Sequence, residues 1–228
     1  MKIKFGAIVV DGRGKIGGHV ASKNRAGAYL RTKVTPVNPN TIAQSAARAR
    51  LSSIAQSWRA LTQSQRDSFN GAVANFTRTD IFGDIKKPSG STLYQKLNNN
   101  LSLISQALIS TAPAIGDVIT TGFSFMEAKV TVPELTLYLD AAVDPSMTCV
   151  VYATPPLSPG ISFVDSEYRV VSLILNGQGA AVDIIADYAF KFGNPVVDQK
   201  IFVKVKFVKN STGQVSTFQS QSAIATLL

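Results

Sequence analysis

Lys200-Ile-Phe-Val-Lys-Val-Lys-Phe-Val-Lys209 alternates without a break: Ile201, Val203, Val205 and Phe207 fall on one side, Phe202, Lys204 and Lys206 on the other. A period of two over ten residues is that of a strand with one face in a core and one face near water. Outward from it, shorter stretches of the same kind predict strands over 129–132, 135–140, 148–154, 168–175, 180–186 and 213–219. Turn residues separate them at Asp144-Pro145, Pro155-Pro156, Ser158-Pro-Gly160, Asn176-Gly177, Gly193-Asn-Pro195 and Asn210-Ser-Thr-Gly213. About seven short strands with such punctuation suggest an antiparallel sandwich of immunoglobulin or fibronectin type III shape over 117–228.

Upstream of Ala112-Pro-Ala-Ile-Gly116 the period becomes helical. Asn40 or Thr41 can cap a first helix with apolar positions at Ala47, Leu51, Ile54, Ala55, Trp58 and Leu61. Thr62-Gln-Ser-Gln65 has the form of a capping box and opens a second helix carrying Phe69, Val73 and Phe76. Leu93, Leu97, Leu101, Ile104 and Leu108 mark a third helix of about four to five turns. Residues 41–111 therefore read as a small helical bundle.

Residues 1–40 have no such period. Five glycines and two prolines interrupt 11–40, and eight Lys+Arg stand against one Asp from Met1 onward. Chain of this composition buries too little apolar area to offset its ordering entropy, so an extended arm shaped by a neighbouring molecule is expected. Ile3, Phe5 and Ala7 alternate as a short strand that could extend a neighbour's sheet edge. The fold class expected is α+β: a basic N-terminal arm, a helical bundle, then the β-sandwich.

Charge divides along the same lines. Residues 1–100 hold 16 of the 23 Lys+Arg and four of the 14 acids, a balance of +12, whereas residues 101–228 sum to −3. Such asymmetry points to a basic half that seeks an acidic or carbonyl-rich partner and a near-neutral body. Overall the chain is 16% charged and 45% hydrophobic, which fits a globular protein whose surface is rich in Ser, Thr, Asn and Gln.

Catalytic chemistry finds little support. His19 is the only histidine and Cys149 the only cysteine, so ordinary zinc sites, His-based triads and internal disulfides are not expected. Cys149 sits in an apolar run and reads as a buried, inert thiol. Asp165 and Glu167 read as a solvated rim rather than an acid–base couple. Gly12-Arg-Gly-Lys-Ile-Gly-Gly18 resembles phosphate-cradling loops, but it has no Gly-Lys-Ser/Thr at Walker spacing and no following βαβ unit. No cofactor is predicted. The N-terminal residues do not read as a cleaved leader, and no run approaches a membrane span.

Gly14-Lys-Ile-Gly-Gly-His-Val-Ala-Ser-Lys-Asn-Arg25, Tyr29-Leu-Arg31, Pro36-Val-Asn-Pro-Asn-Thr41, Gln44, Arg48, Trp58-Arg-Ala-Leu-Thr62 and Gln65-Arg66 follow one another over about residues 12–70. Together they resemble a family of structural and uncharacterised virion proteins of tailed bacteriophages, including those of crAss-like phages. The resemblance implies a non-enzymatic virion protein with an assembly arm and helical hairpin ahead of a variable β domain. It also implies synthesis in the bacterial host's cytoplasm and a final place in the particle. The expected role is a multicopy subunit of the head–tail connector or tail-barrel ring. Capsid decoration and a nucleic-acid-binding protein are the alternatives.

The partners expected are other virion proteins (portal, ring or capsid subunits) and further copies of this chain, with nucleic acid nearby and no membrane. The candidate interface residues are Arg13, Lys15, Arg25, Arg31, Arg48 and Arg50, with Tyr29, Leu30, Pro36 and Pro39 setting the arm's path. Protein contact is favoured over nucleic acid because Tyr29 is the arm's one aromatic anchor among the cations.

Overall fold

The computed structural model describes residues 1–4, 6, 12–175 and 178–227. The predicted Asn176-Gly177 turn lies outside the described residues, as do Phe5 and Ala7. The chain is a mixture of helix and strand, and among the described residues the ladders between strands are antiparallel, with one parallel bridge from Lys129 to Thr226.

Three short strands come first: β1 (Gly14–Ile16), β2 (His19–Asn24) and β3 (Gly27–Thr32). They form a meander in which Ala21 faces Leu30 and Ser22 faces Tyr29. Over residues 14–32 this departs from the extended arm expected for 1–40, whereas residues 33–40 have no regular structure. Tight turns supply the order that a core does not. Gly17 adopts φ +55° between β1 and β2, a value costly for residues with a Cβ, and the Asn24 side chain accepts from the Ala26 amide between β2 and β3 at 2.9 Å. Lys2 and Ile3 then add to β3: the Ile3 amide donates to Ala28 O at 3.0 Å and the Leu30 amide to Met1 O at 2.7 Å. The strand expected to join a neighbour's sheet thus joins its own. Ala21 is the meander's one buried apolar residue.

Next come α1 (Ile42–Ala60) and α2 (Gln63–Ala72), the latter prolonged by a 3-10 turn (Val73–Phe76). A hairpin of β4 (Arg78–Thr79) and β5 (Ile85–Lys86) leads to α3 (Gly90–Leu103). Thr41 caps α1 and Thr62 closes the predicted capping box with Gln65. Ile54, Phe69, Leu93, Tyr94 and Leu97 form the helical core. Trp58 lies within it, its ring centroid 6.0 Å from Phe69 and 5.3 Å from Tyr94.

The third helix is shorter than predicted. Ser105 turns to φ +57°, the Gln106 amide reaches Leu101 O and the Ser105 amide reaches Ser102 O, which is a Schellman stop. Leu108 therefore lies beyond the helix and is exposed.

The rest comprises β6 (Phe123–Lys129), β7 (Glu134–Leu139), β8 (Met147–Ala153), β9 (Arg169–Ile174), β10 (Ala181–Asp183), α4 (Ile185–Phe192), β11 (Lys200–Lys209) and β12 (Gln219–Ile224). Two sheets, ordered β10-β7-β6 and β12-β11-β8-β9, enclose one apolar cluster. Leu135, Leu137 and Leu139 enter it from one sheet, Cys149, Val151, Ile201, Val203, Val205 and Phe207 from the other, and Tyr188 from α4. These orders establish antiparallel sheets around a common core and do not extend to an immunoglobulin or fibronectin connectivity.

Strand β11 matches its predicted bounds and alternation. Three other expectations are corrected. Residues 129–132 are mostly a turn, because the strand runs earlier, with a register shift between Phe123 and Phe125 obscuring its period. The strand expected over 180–186 ends at Asp183, since Ile184, Ile185, Tyr188 and Phe192 recur at helical spacing and the Asp183 carboxylate receives the Ile185 amide. Residues 213–218 hold a single bridge at Val215, and the edge strand forms later, from Gln219, as the polar β12.

The outer face of the four-stranded sheet receives the end of α3. Leu101 and Ile104 pack on Val150 and Val208, and the buried Asn100 side chain donates to Gly213 O at 2.9 Å. Gly213 has φ +70°, and a Cβ there would collide with the Leu97 carbonyl oxygen. The connector after α3 is held from both sides. Asn98 exchanges hydrogen bonds with the backbone of Ile109, while Gln214 bonds Ala114 O and the Gly116 amide.

Candidate partner-binding surface

The sequence-predicted interface residues divide into three settings. Arg13 and Lys15 are exposed at the start of the meander, Arg25 occupies the β2–β3 turn, and Arg31 lies one residue before the end of β3. Tyr29 and Leu30 are half-buried, and as neighbours on a strand they point to opposite faces. Leu30 shares its face with Ala21, so it anchors the meander internally.

Pro36 and Pro39 lie in the second setting, a strap without regular structure from 33 to 41. Every residue from 31 to 43 is exposed, with Val34 at 67%, Val37 at 88% and Ile42 at 91%. The exposure continues into the first half of α1, where Ala46, Ala47, Ala49 and Leu51 are also uncovered. Ile54 is the first residue of that helix to be buried.

Arg48 bends back over this strap. Its guanidinium donates to the side chains of Asn38 at 2.8 Å and Asn40 at 3.2 Å, and Asn40 takes φ +50° at the same bend. Arg48 thus positions the strap rather than projecting as an open cation. Arg50 makes the third setting: it is half-buried beside Ser102, Ser105 and Gln106, and its Nε has no hydrogen-bond partner.

Part of the basic half neutralises itself. Asp80 lies 3.7 Å from both Lys2 and Lys86, and Asp84 lies 3.0 Å from Lys4 and 3.5 Å from Lys86. The β4–β5 hairpin therefore clamps the first residues of the chain. Burial alone would push the Asp80 carboxyl up. The amides of Phe82 and Asp84, with Lys2 and Lys86, hold it below its ordinary 3.8.

One grouping crosses the chain in a way no sequence spacing shows. The β2–β3 turn faces the β4–β5 hairpin and the start of α3 across a groove of about 630 Å³. Arg25, Arg78, Lys86, Lys87 and Lys96 line it, and no carboxylate does. Arg78, Lys87 and Lys96 were not singled out from the sequence. Their signal was present as the low acid content of 1–100, but their meeting with Arg25 depends on the fold.

The residues set aside as catalytic are placed as follows. Cys149 is buried, and burial pushes its thiol up to about 12. His19, Asp165 and Glu167 are exposed. Among the described residues no group of three or more His, Cys, Asp or Glu is placed to hold a metal ion. Nor, among them, is any helix long and apolar enough to cross a membrane. No family model, curated protein or solved structure matches this chain.

Proposed function

We propose that this chain is a non-enzymatic structural subunit of a tailed-phage virion, present in many copies in the head–tail connector or a tail-barrel ring. Its basic N-terminal segment and the strap behind it would hold it to neighbouring subunits. The observation that carries this reading is the unbroken exposure of 31–43, continued by the open half of α1. Single exposed apolar residues are ordinary on a protein surface, but Val34, Val37 and Ile42 are three such residues on one segment that the chain leaves wholly uncovered. Such a segment gains burial when a second subunit covers it, and a head-to-tail contact whose rotation closes makes a ring. The resemblance over 12–70 covers the same residues. The two-sheet body, read as the sandwich-like domain of this subunit, would face outward or pair around the ring.

Deleting residues 1–35 tests the reading. Among the described residues, none before Ile54 belongs to any of the three core clusters, so the shortened chain should fold, with helical and sheet content retained by circular dichroism. Sedimentation velocity should then find full-length chain in a defined oligomer and the shortened chain as a monomer. Equal assembly by both chains would overturn the role given to the segment.

A further inference from the structure

We infer that the groove between the β2–β3 turn and the β4–β5 hairpin is a binding site for the sugar-phosphate backbone of nucleic acid. Its rim carries Arg25, Arg78, Lys87 and Lys96, all exposed and none in an ion pair among the described residues. Lys86 adds a fifth cation, already shared with Asp80 and Asp84. Phe76, Ile85 and Leu93 add apolar lining between the cations. Cations interspersed with apolar lining suit an anionic chain whose charges are spaced along it and whose bases offer flat apolar faces. At about 630 Å³, the groove is within the range of sites that enclose a small ligand, so it would take a short run of nucleotide units.

Charge accounting favours a polyanion over a neighbouring copy of the same chain. Residues 101–228 offer ten acids, and several are engaged at home. Glu127 and Glu134 lie against Lys129, Asp183 receives the amides of Leu135 and Ile185, and Asp144 receives Ser146. However copies of the chain are arranged, each brings a net +9, which a polyanion neutralises and a further copy does not. A phosphodiester chain supplies that anion without any sequence-specific hydrogen bond, and the groove displays cations rather than a built donor–acceptor pattern for base edges. The inference stands on the groove alone and is independent of the assembly role proposed above.

Fluorescence anisotropy with a labelled 20-nucleotide single strand and its duplex, on the full chain, tests it. Arg25→Gln, Lys87→Gln and Lys96→Gln together remove three exposed charges. Lys200→Gln, Lys206→Gln and Lys209→Gln remove the same charge from β11 as a control, and the melting temperature of each variant verifies its fold. The groove variant should bind at least about ten-fold more weakly, and its log–log salt slope should be shallower by about two to three, near 0.7 to 0.9 per lost phosphate contact. The control should bind within about two-fold of the parent, well under the tenfold that one decade of affinity represents. Three results would overturn the inference: no saturable binding in 50 mM salt (about 14 Å of screening length, well beyond a contact pair), equal losses in both variants, or displacement of the probe from neither by unlabelled DNA while poly-glutamate still binds the groove.

Discussion

Asp80 shows how one side chain links the start of the chain to the β4–β5 hairpin. Its carboxylate accepts the Phe82 amide at 2.8 Å and the Asp84 amide at 3.1 Å, which shapes the β4–β5 turn. The same group attracts Lys2 and Lys86, which docks the first residues of the chain beside the hairpin. Because the folded carboxyl lies below 3.8, its stabilising contribution is complete above that ordinary value and is lost as pH falls through the folded one. Asp80→Asn keeps an acceptor for the two amides but removes the attraction for the lysines. At pH 6 the variant should show shifted and broadened amide resonances for Ile3 and Leu30 relative to the parent. The two proteins should converge once the pH falls well below 3.8. Identical spectra at pH 6 would mean that the lysine pairs do not hold the segment.

The elements joining the two cores carry the next test. Leu101 is fully buried between α3 and the outer face of the β8–β11 pair, and Asn100 anchors the same helix to Gly213. Leu101→Ala should cost about 2–5 kcal/mol, the range for a large-to-small change in a packed core. It should also split a single thermal transition into two, because the helical and sheet units share this contact. Calorimetry showing one unsplit transition at an unchanged temperature would contradict that coupling. Strand β12 makes the analogous join between the sheets by another means. Gln219 bonds the Phe123 amide and Thr121 O, and Gln221 donates to Phe123 O and Ser124 O, so glutamine side chains tie the edge of one sheet to the backbone of β6.

Those particulars explain which elements were legible. β11 was, because one dry face and one wet face impose a period of two that no other structure shares. β12 was not, since Gln219, Ser220, Gln221 and Ser222 work through side-chain hydrogen bonds that leave no hydrophobic period. α4 was missed because Ile184 and Ile185 resemble strand residues until Tyr188 and Phe192 complete the turn. The meander was read as featureless for a related reason: its order comes from Gly17, Asn24 and backbone pairing rather than from apolar burial. The basic character of the surface was visible in composition alone. Its organisation into a groove was not, because Arg25 meets Lys87 and Lys96 only after the meander folds back on the hairpin.

At the scale of the molecule, the chain is graded from one end to the other. The two-sheet body and the lower half of the helical unit have continuous cores. The strap and the first half of α1 have none, and the meander has a single buried alanine. Local order by hydrogen bonding without burial gives free energies of opening far below that of a packed core, so this end should exchange amide hydrogens fastest. In the proposed particle the missing burial comes from neighbouring subunits. Hydrogen exchange of the full chain, recorded across the concentration range over which sedimentation detects an oligomer, measures this directly. The account predicts that amides of 33–47 exchange freely in the monomer and become protected on assembly while the β11 amides stay protected throughout. An oligomer in which 33–47 still exchange freely, or a chain that stays monomeric at every concentration, would contradict it.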